Sequence, residues 1–224
     1  MIQPDTLLFL KKLAQHNCRE WFHEHREEYA AARGNVIDVA TQLLAEINRF
    51  DPIGFYDVRR SMFRIARDTR FSHDKSLYKQ NFGVILNAEG NTRSPLSGYY
   101  LHVEPGNSFV SCGLYMPPPG LLKTVRRTVD EDFDVFKKII AKKEFKQAFT
   151  DLVRDDDALT RVPAGFDKNS PAADYLKLKH FYVMAALTDR EITTAAFAKK
   201  AAGYYRLMKP FNDFLNDIVR NGEQ

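Results

Sequence analysis

The chain has 224 residues, of which 44% are hydrophobic and 28% charged, and its formal net charge is +4. It is long and apolar enough for a packed core, and too weakly basic to coat nucleic acid with its whole surface. Cys18 and Cys112 are too few for a disulfide scaffold or a multi-cysteine zinc site and read as unpaired thiols of a reducing compartment. No apolar run approaches the ~20 residues of a membrane span. The opening MIQPDTLLFLKKLAQH lacks a secretory pattern. The expectation is a cytoplasmic protein without membrane association.

Residues 5–16 read as a short helix, with Leu7, Leu10 and Leu13 at intervals of three and Asp5 or Thr6 as cap. Asn17-x-x-Glu20 has the form of a capping box. A long helical stretch to about Asn48 comes next, with Gly34 as its weak point, and Asp51-Pro52-Ile53-Gly54 ends it. From about residue 60 the apolar period shortens. Phe63 and Ile65 alternate with Met62, Arg64 and Ala66, as in a strand with one charged face. Residues 81–89 contain FGVIL, the continuous apolar run of a covered strand.

Residues 90–97 read as a polar loop. The runs 99–104 and 108–115 flank Pro105-Gly106 as a β-hairpin. Pro117-Pro118-Pro119-Gly120 closes the sheet region. Helical patterns cover 121–129, 133–149 and 204–219, with an exposed turn or linker at 154–157. Ser170-Pro171 opens a short helix, and Thr188-x-x-Glu191 is a second capping box. Residues 181–187 fit either a strand or a buried helical segment. Helices, then strands, then helices predict an α+β fold with an antiparallel sheet over about residues 60–115. The expectation is one domain over 1–224, with N-terminal helices at 5–48 and a C-terminal helical part at 120–220.

Charge is concentrated in residues 59–79, RRSMFRIARDTRFSHDKSLYK. Seven cations (Arg59, Arg60, Arg64, Arg67, Arg70, Lys75, Lys79) face two acids (Asp68, Asp74), a local +5 in a chain of net +4. Such density calls for solvent, carboxylates or an anionic ligand. Arginine forks suit phosphate or carboxylate, so Arg60, Arg64, Arg67, Arg70, Lys75 and Lys79 are the candidate anion contacts. The competing reading is an internal ion-pair network drawing on Asp68, Asp74, Glu20, Glu24, Glu27 and Glu28. Phe71 and Tyr78 fit either base stacking or the core.

Strand alternation puts Tyr100, His102 and Glu104 on one face, with Leu101 and Val103 on the other. A histidine beside a carboxylate suits acid–base chemistry, with Tyr100 as a donor; the competing reading is ordinary polar decoration. His23 and His25, two apart on a helix, do not form a metal pair, and no metal or cofactor is expected. No P-loop, dinucleotide, hydrolase-elbow or zincin pattern occurs.

The leading expectation is binding of a phosphorylated or carboxylated small molecule, nucleotides included. The alternatives are an enzyme acting on an anionic substrate in the same pocket, with His102 as acid or base and Glu104 orienting it, a nucleic-acid binder, or a protein-interaction module.

Asn17-Cys-Arg-Glu-Trp-Phe22, Phe63-Arg-Ile65, Arg67-Asp-Thr-Arg-Phe-Ser72, Asp74-Lys75, Tyr78-Lys79, Gly98-Tyr-Tyr-Leu-His-Val-Glu-Pro-Gly106 and Arg161-Val-Pro-Ala-Gly-Phe166 together resemble the domain-of-unknown-function 2461 family. The resemblance runs over roughly residues 4–215. One departure is Leu77, where members often carry proline before the tyrosine. The resemblance implies a single unit and brings no activity, substrate or catalytic residue with it.

Overall fold

The computed structural model describes residues 1–68 and 76–222. The N-terminal helices are α1 (Pro4–Gln15), α2 (Arg19–Glu24) and α3 (Arg26–Ile47). A 3-10 turn, Val58–Ser61, leads toward strands β1 (Phe82–Leu86), β2 (Gly98–Val103) and β3 (Ser108–Leu114). Helices α4 (Pro119–Glu131), α5 (Phe133–Ile140), α6 (Lys143–Phe149) and α7 (Ala173–Leu176) separate these from β4 (Phe181–Leu187), α8 (Asp189–Ile192) and α9 (Phe197–Gly222). The strands form one antiparallel sheet in the order β1-β2-β3-β4. This is an α+β fold with helices at both termini, as expected. No helix among the described residues is long and apolar enough to cross a membrane.

Alternation divides the sheet into two faces. Phe82, Val84, Leu101, Val110, Cys112 and Val183 are buried on the inner face. They join one continuous apolar cluster with Leu10 and Leu13 of α1, Val36 and Leu43 of α3, and Tyr205, Phe211 and Leu215 of α9. The outer face carries Gly83, Tyr100, His102, Phe109 and Met184.

Local signals decide several boundaries. The Thr188–Glu191 capping box forms: Thr188 Oγ1 accepts from Glu191 N–H, and the Glu191 carboxylate accepts from Thr188 N–H. Residues 181–187 are the strand β4, because they complete the outer side of β3. Pro105-Gly106 does turn the β2–β3 hairpin, with Gly106 at φ 75°.

Other expectations give way to tertiary contacts. α1 starts at Pro4 without a side-chain cap, and Thr6 instead donates to Asn35 Oδ1 at 2.9 Å. The long helical stretch breaks at His25, between α2 and α3, while Gly34 lies within α3. Asn17 does not cap α2. Its side chain bonds residue 78 instead.

The strand expected from residue 60 is not a regular one. Residues 58–61 form the 3-10 turn, and the chain beyond it makes two isolated bridges, Met62 to Val84 and Ala66 to Tyr78. The segment pairs first with β1 and then with its own return limb, so its side-chain alternation breaks between partners. Met62 and Ile65 are buried, whereas Phe63 and Arg64 are exposed. Both sheet edges meet irregular chain: Phe63 N–H donates to Gly83 O at 2.9 Å beside β1, and Val153 N–H to Tyr182 O at 3.0 Å beside β4.

Candidate anion site on the outer face of the sheet

The basic segment forms a ribbon of two limbs. Arg67 N–H donates to Leu77 O at 2.9 Å, and Lys79 N–H donates to Ile65 O at 2.8 Å. Its return limb is fastened to the helical layer: Asn17 Nδ2 donates to Tyr78 O, and Tyr78 N–H donates to Asn17 Oδ1, both at 2.9 Å. The Tyr78 ring stacks on Phe22 with centroids 4.1 Å apart. That contact places Tyr78 with the core aromatics rather than with a base-stacking platform. The ribbon brings Phe63 edge-on to Tyr100, with centroids 6.1 Å apart. Lys79 Nζ stands 5.5 Å from the centre of the Phe63 ring.

Tyr100, His102 and Glu104 form a hydrogen-bonded chain along β2 and its exit. Tyr100 Oη lies 3.1 Å from His102 Nδ1, and His102 Nε2 lies 3.1 Å from Glu104 Oε2. Asn107 Nδ2 donates to the same Glu104 oxygen at 2.9 Å. The tautomer is set by the carboxylate: Nε2 must donate to it, so neutral His102 accepts at Nδ1. Tyr100 O–H is the donor that satisfies that nitrogen. His102 also lies flat on Phe109, with centroids 4.4 Å apart and planes 9° apart. The Tyr100 backbone is held from below by Tyr205 O–H, which donates to its carbonyl at 2.9 Å.

Gly83 makes room for the phenol. It sits opposite His102 in the β1–β2 register, and a Cβ there would come within 2.4 Å of Tyr100 Oη. The glycine therefore sets where the end of the chain lies.

The electrostatics join chain and ribbon. Burial holds the Lys79 ammonium below the usual lysine pKa, and the charges of Arg64 and Arg67 push it the same way. Burial also lowers the His102 pKa. Glu104 opposes that shift by hydrogen bond and charge, and Lys79 reinforces it. The Tyr100 phenol is pushed up to about 12, chiefly by burial and then by Glu104 and Tyr115, so it keeps its proton. Among the described residues Lys79, Arg60 and Arg64 form no ion pair. Glu28, one of the carboxylates considered as an internal partner, pairs with Lys12 at 3.1 Å instead.

The structure thus brings together Tyr100, His102, Glu104 and Lys79, with Arg64 and Arg67 near enough to act on Lys79. Arg67 also donates to Ser76 Oγ at 3.1 Å. Arg60 is exposed on the 3-10 turn and touches none of this group among the described residues. Arg70, Phe71, Asp74 and Lys75 lie outside the described residues. Sequence reasoning missed Gly83 and Asn17. Asn17 was visible only as a helix-capping signal, and its partner is 61 residues away.

A second cluster was also missed. Ligand atoms of Asp155, Asp157 and His180 lie within 4.8 Å of one another, so residues 154–157 are more than an exposed turn. His180 Nδ1 accepts from Met116 N–H at 2.9 Å, which leaves the proton on Nε2, facing Asp157 Oδ1 at 3.4 Å. A protonated Nε2 is not a metal ligand. Tyr182 O–H donates to Asp155 Oδ1 at 2.9 Å, although the buried Asp155 Oδ2 has no hydrogen-bond partner among the described residues. The trio ties the 154–157 turn to the start of β4 and, through Met116, to the turn after β3. His25 stacks on Trp21 with centroids 4.0 Å apart and accepts or donates nothing to His23.

Two clefts lie elsewhere. One of about 310 Å³ is lined by Leu7, Leu8, Lys11 and Asp189, and one of about 230 Å³ by Ile139, Phe145, Arg206 and Pro210. Neither adjoins the Tyr100 chain.

The fold and this site define an α+β protein that gathers half-buried cations and a Tyr–His–Glu chain at one face of a four-stranded antiparallel sheet. The chain belongs to the family described as conserved hypothetical protein (DUF2461), which matches residues 5–214. No curated protein and no solved structure matches it.

Proposed function

We propose that the outer face of the sheet and the basic ribbon bind a phosphorylated or carboxylated small molecule. The observation that carries this reading is Lys79. It is partly withdrawn from water, flanked by the charges of Arg64 and Arg67, and paired with no carboxylate among the described residues. An unpaired, desolvated ammonium beside other cations costs stability, and an anion removes that cost. Phe63 and Tyr100 give the charged group an apolar wall. The exposed Cys18 and buried Cys112, both free thiols, suit a reducing cytoplasmic setting.

Calorimetric titration of phosphorylated and carboxylated metabolites into the wild type and the Arg64→Ala/Lys79→Ala double variant tests this. The expected result is binding that the double variant loses. Binding that survives in the variant, or none in the wild type, overturns it. Steeply salt-dependent binding of DNA or RNA instead moves the function to nucleic acid.

A second reading, an enzyme on an anionic substrate, draws on the Tyr100–His102–Glu104 chain. Hydroxyl, imidazole and carboxylate are linked in the order of a proton relay, and burial favours the neutral imidazole.

A further inference from the structure

The direction of the hydrogen bonds in the Tyr100 chain bears on which anion the site takes. Glu104 fixes the His102 proton on Nε2, so His102 Nδ1 can only accept. The one proton of the Tyr100 hydroxyl is thereby committed to His102. What Tyr100 Oη has left to offer is lone pairs. No described residue donates to Tyr100 Oη, whereas its backbone carbonyl is already occupied by Tyr205. Phe63 packs edge-on against its ring on the side of Lys79, and Gly83 leaves the space in which the oxygen sits. The charged or titratable groups around it are His102, Glu104, Tyr115 and, through His102, Lys79.

A site with cations on one side and a hydrogen-bond acceptor on the other is selective. Sulfate esters and carboxylates carry no proton near neutral pH, so their oxygens would meet the Tyr100 lone pairs with repulsion. A phosphate monoester has a second pKa of about 6 and keeps a P–OH in an appreciable fraction of molecules. That group donates to Tyr100 while the remaining oxygens face Lys79 and Arg64. Resting on the anion-binding reading above, we propose that the ligand is a phosphate monoester and that Tyr100 selects it by accepting a hydrogen bond from its P–OH. The chain His102–Glu104 acts as a positioning device that keeps Tyr100 an acceptor.

The test uses the isosteric probes phenyl phosphate and phenyl sulfate, titrated calorimetrically at pH 6 into the full chain. The wild type is expected to prefer phenyl phosphate by about tenfold or more, which corresponds to ~1.4 kcal/mol. Tyr100→Phe keeps the ring contacts and is expected to bind both probes, with that preference reduced about tenfold. His102→Leu releases the phenol proton toward the ligand, so phenyl sulfate should bind more tightly than in the wild type. A gain of affinity is not the signature of a merely damaged fold. An unchanged preference in Tyr100→Phe, or no gain for sulfate in His102→Leu, overturns the role of Tyr100 while leaving the anion site standing. Failure of the wild type to bind either probe overturns the anion site itself, and this proposal with it.

Discussion

Asn17 holds Tyr78 by both of its backbone polar groups, each through a bond of 2.9 Å. One amide side chain stands in for a neighbouring strand and fixes the ribbon limb that carries Lys79. The contact crosses from the α1–α2 junction to the ribbon, so it couples the helical layer to the candidate site. Asn17→Ala leaves a partly buried N–H and carbonyl without this partner. The expected loss of stability is about 1–3 kcal/mol, read by chemical denaturation, together with weaker anion binding. A variant as stable as the wild type would show that water replaces the clamp.

Gly83→Ala should act on the site rather than on the core. The added Cβ meets Tyr100 Oη at 2.4 Å and two ring carbons at 3.1 Å, so the phenol must leave its present position. Overpacking of this kind costs about 1–3 kcal/mol. The expected result is a folded protein with a lowered melting temperature and no phosphate-over-sulfate preference. Retention of that preference would mean that Tyr100 does not act from this position.

Lys79→Met is expected to stabilise the protein when no anion is present, because it removes a desolvated charge from among like charges. The same change should abolish anion binding. Thermal melts of wild type and variant, with and without phosphate, give both numbers. A variant that melts lower in plain buffer would reveal a favourable partner for the ammonium.

His102 is held below its ordinary pKa chiefly by burial, so the unfolded chain takes up this proton first as pH falls. Its contribution to stability is therefore present above the unfolded value, about 6.5, and is lost as pH drops through the lower folded value. Imidazole NMR titration of the wild type should place the His102 midpoint below about 6.5. His102→Gln should flatten the acid limb of the stability profile. A midpoint above the ordinary value would mean that Glu104 outweighs burial.

Because the helices of both ends share one apolar cluster with the sheet, a single calorimetric unfolding transition is expected. Two separated transitions would divide the chain. The loop around Gly90 should resist proteolysis, since Gly90 packs under the Tyr56 ring and Ser97 N–H donates to Asn216 Oδ1 at 2.8 Å.

How much of this was legible in the sequence depends on how local each signal is. The Thr188–Glu191 box and the Pro105-Gly106 turn are complete within a few residues, and both form. Tyr100, His102 and Glu104 share a face by strand alternation alone, so the chain could be read before its bonds were known. The strand expected from residue 60 failed because one segment serves two partners, a fact held by Val84 and Tyr78 rather than by the segment. Gly83 gains its meaning only from the lateral register with His102, and Asn17 only from Tyr78. Residues 181–187 stayed open because a short apolar run has no period to read.

The two sheet edges, one flanked by Phe63 and the other by Val153, have a consequence for behaviour at high concentration. An exposed edge is a template on which a second chain can add a strand. Here each outer strand already spends a carbonyl, Gly83 on one side and Tyr182 on the other, on chain that cannot itself extend the ladder. The flanking segments stand where an added strand would pair, so a crowded solution of this protein should stay dispersed as long as they remain docked.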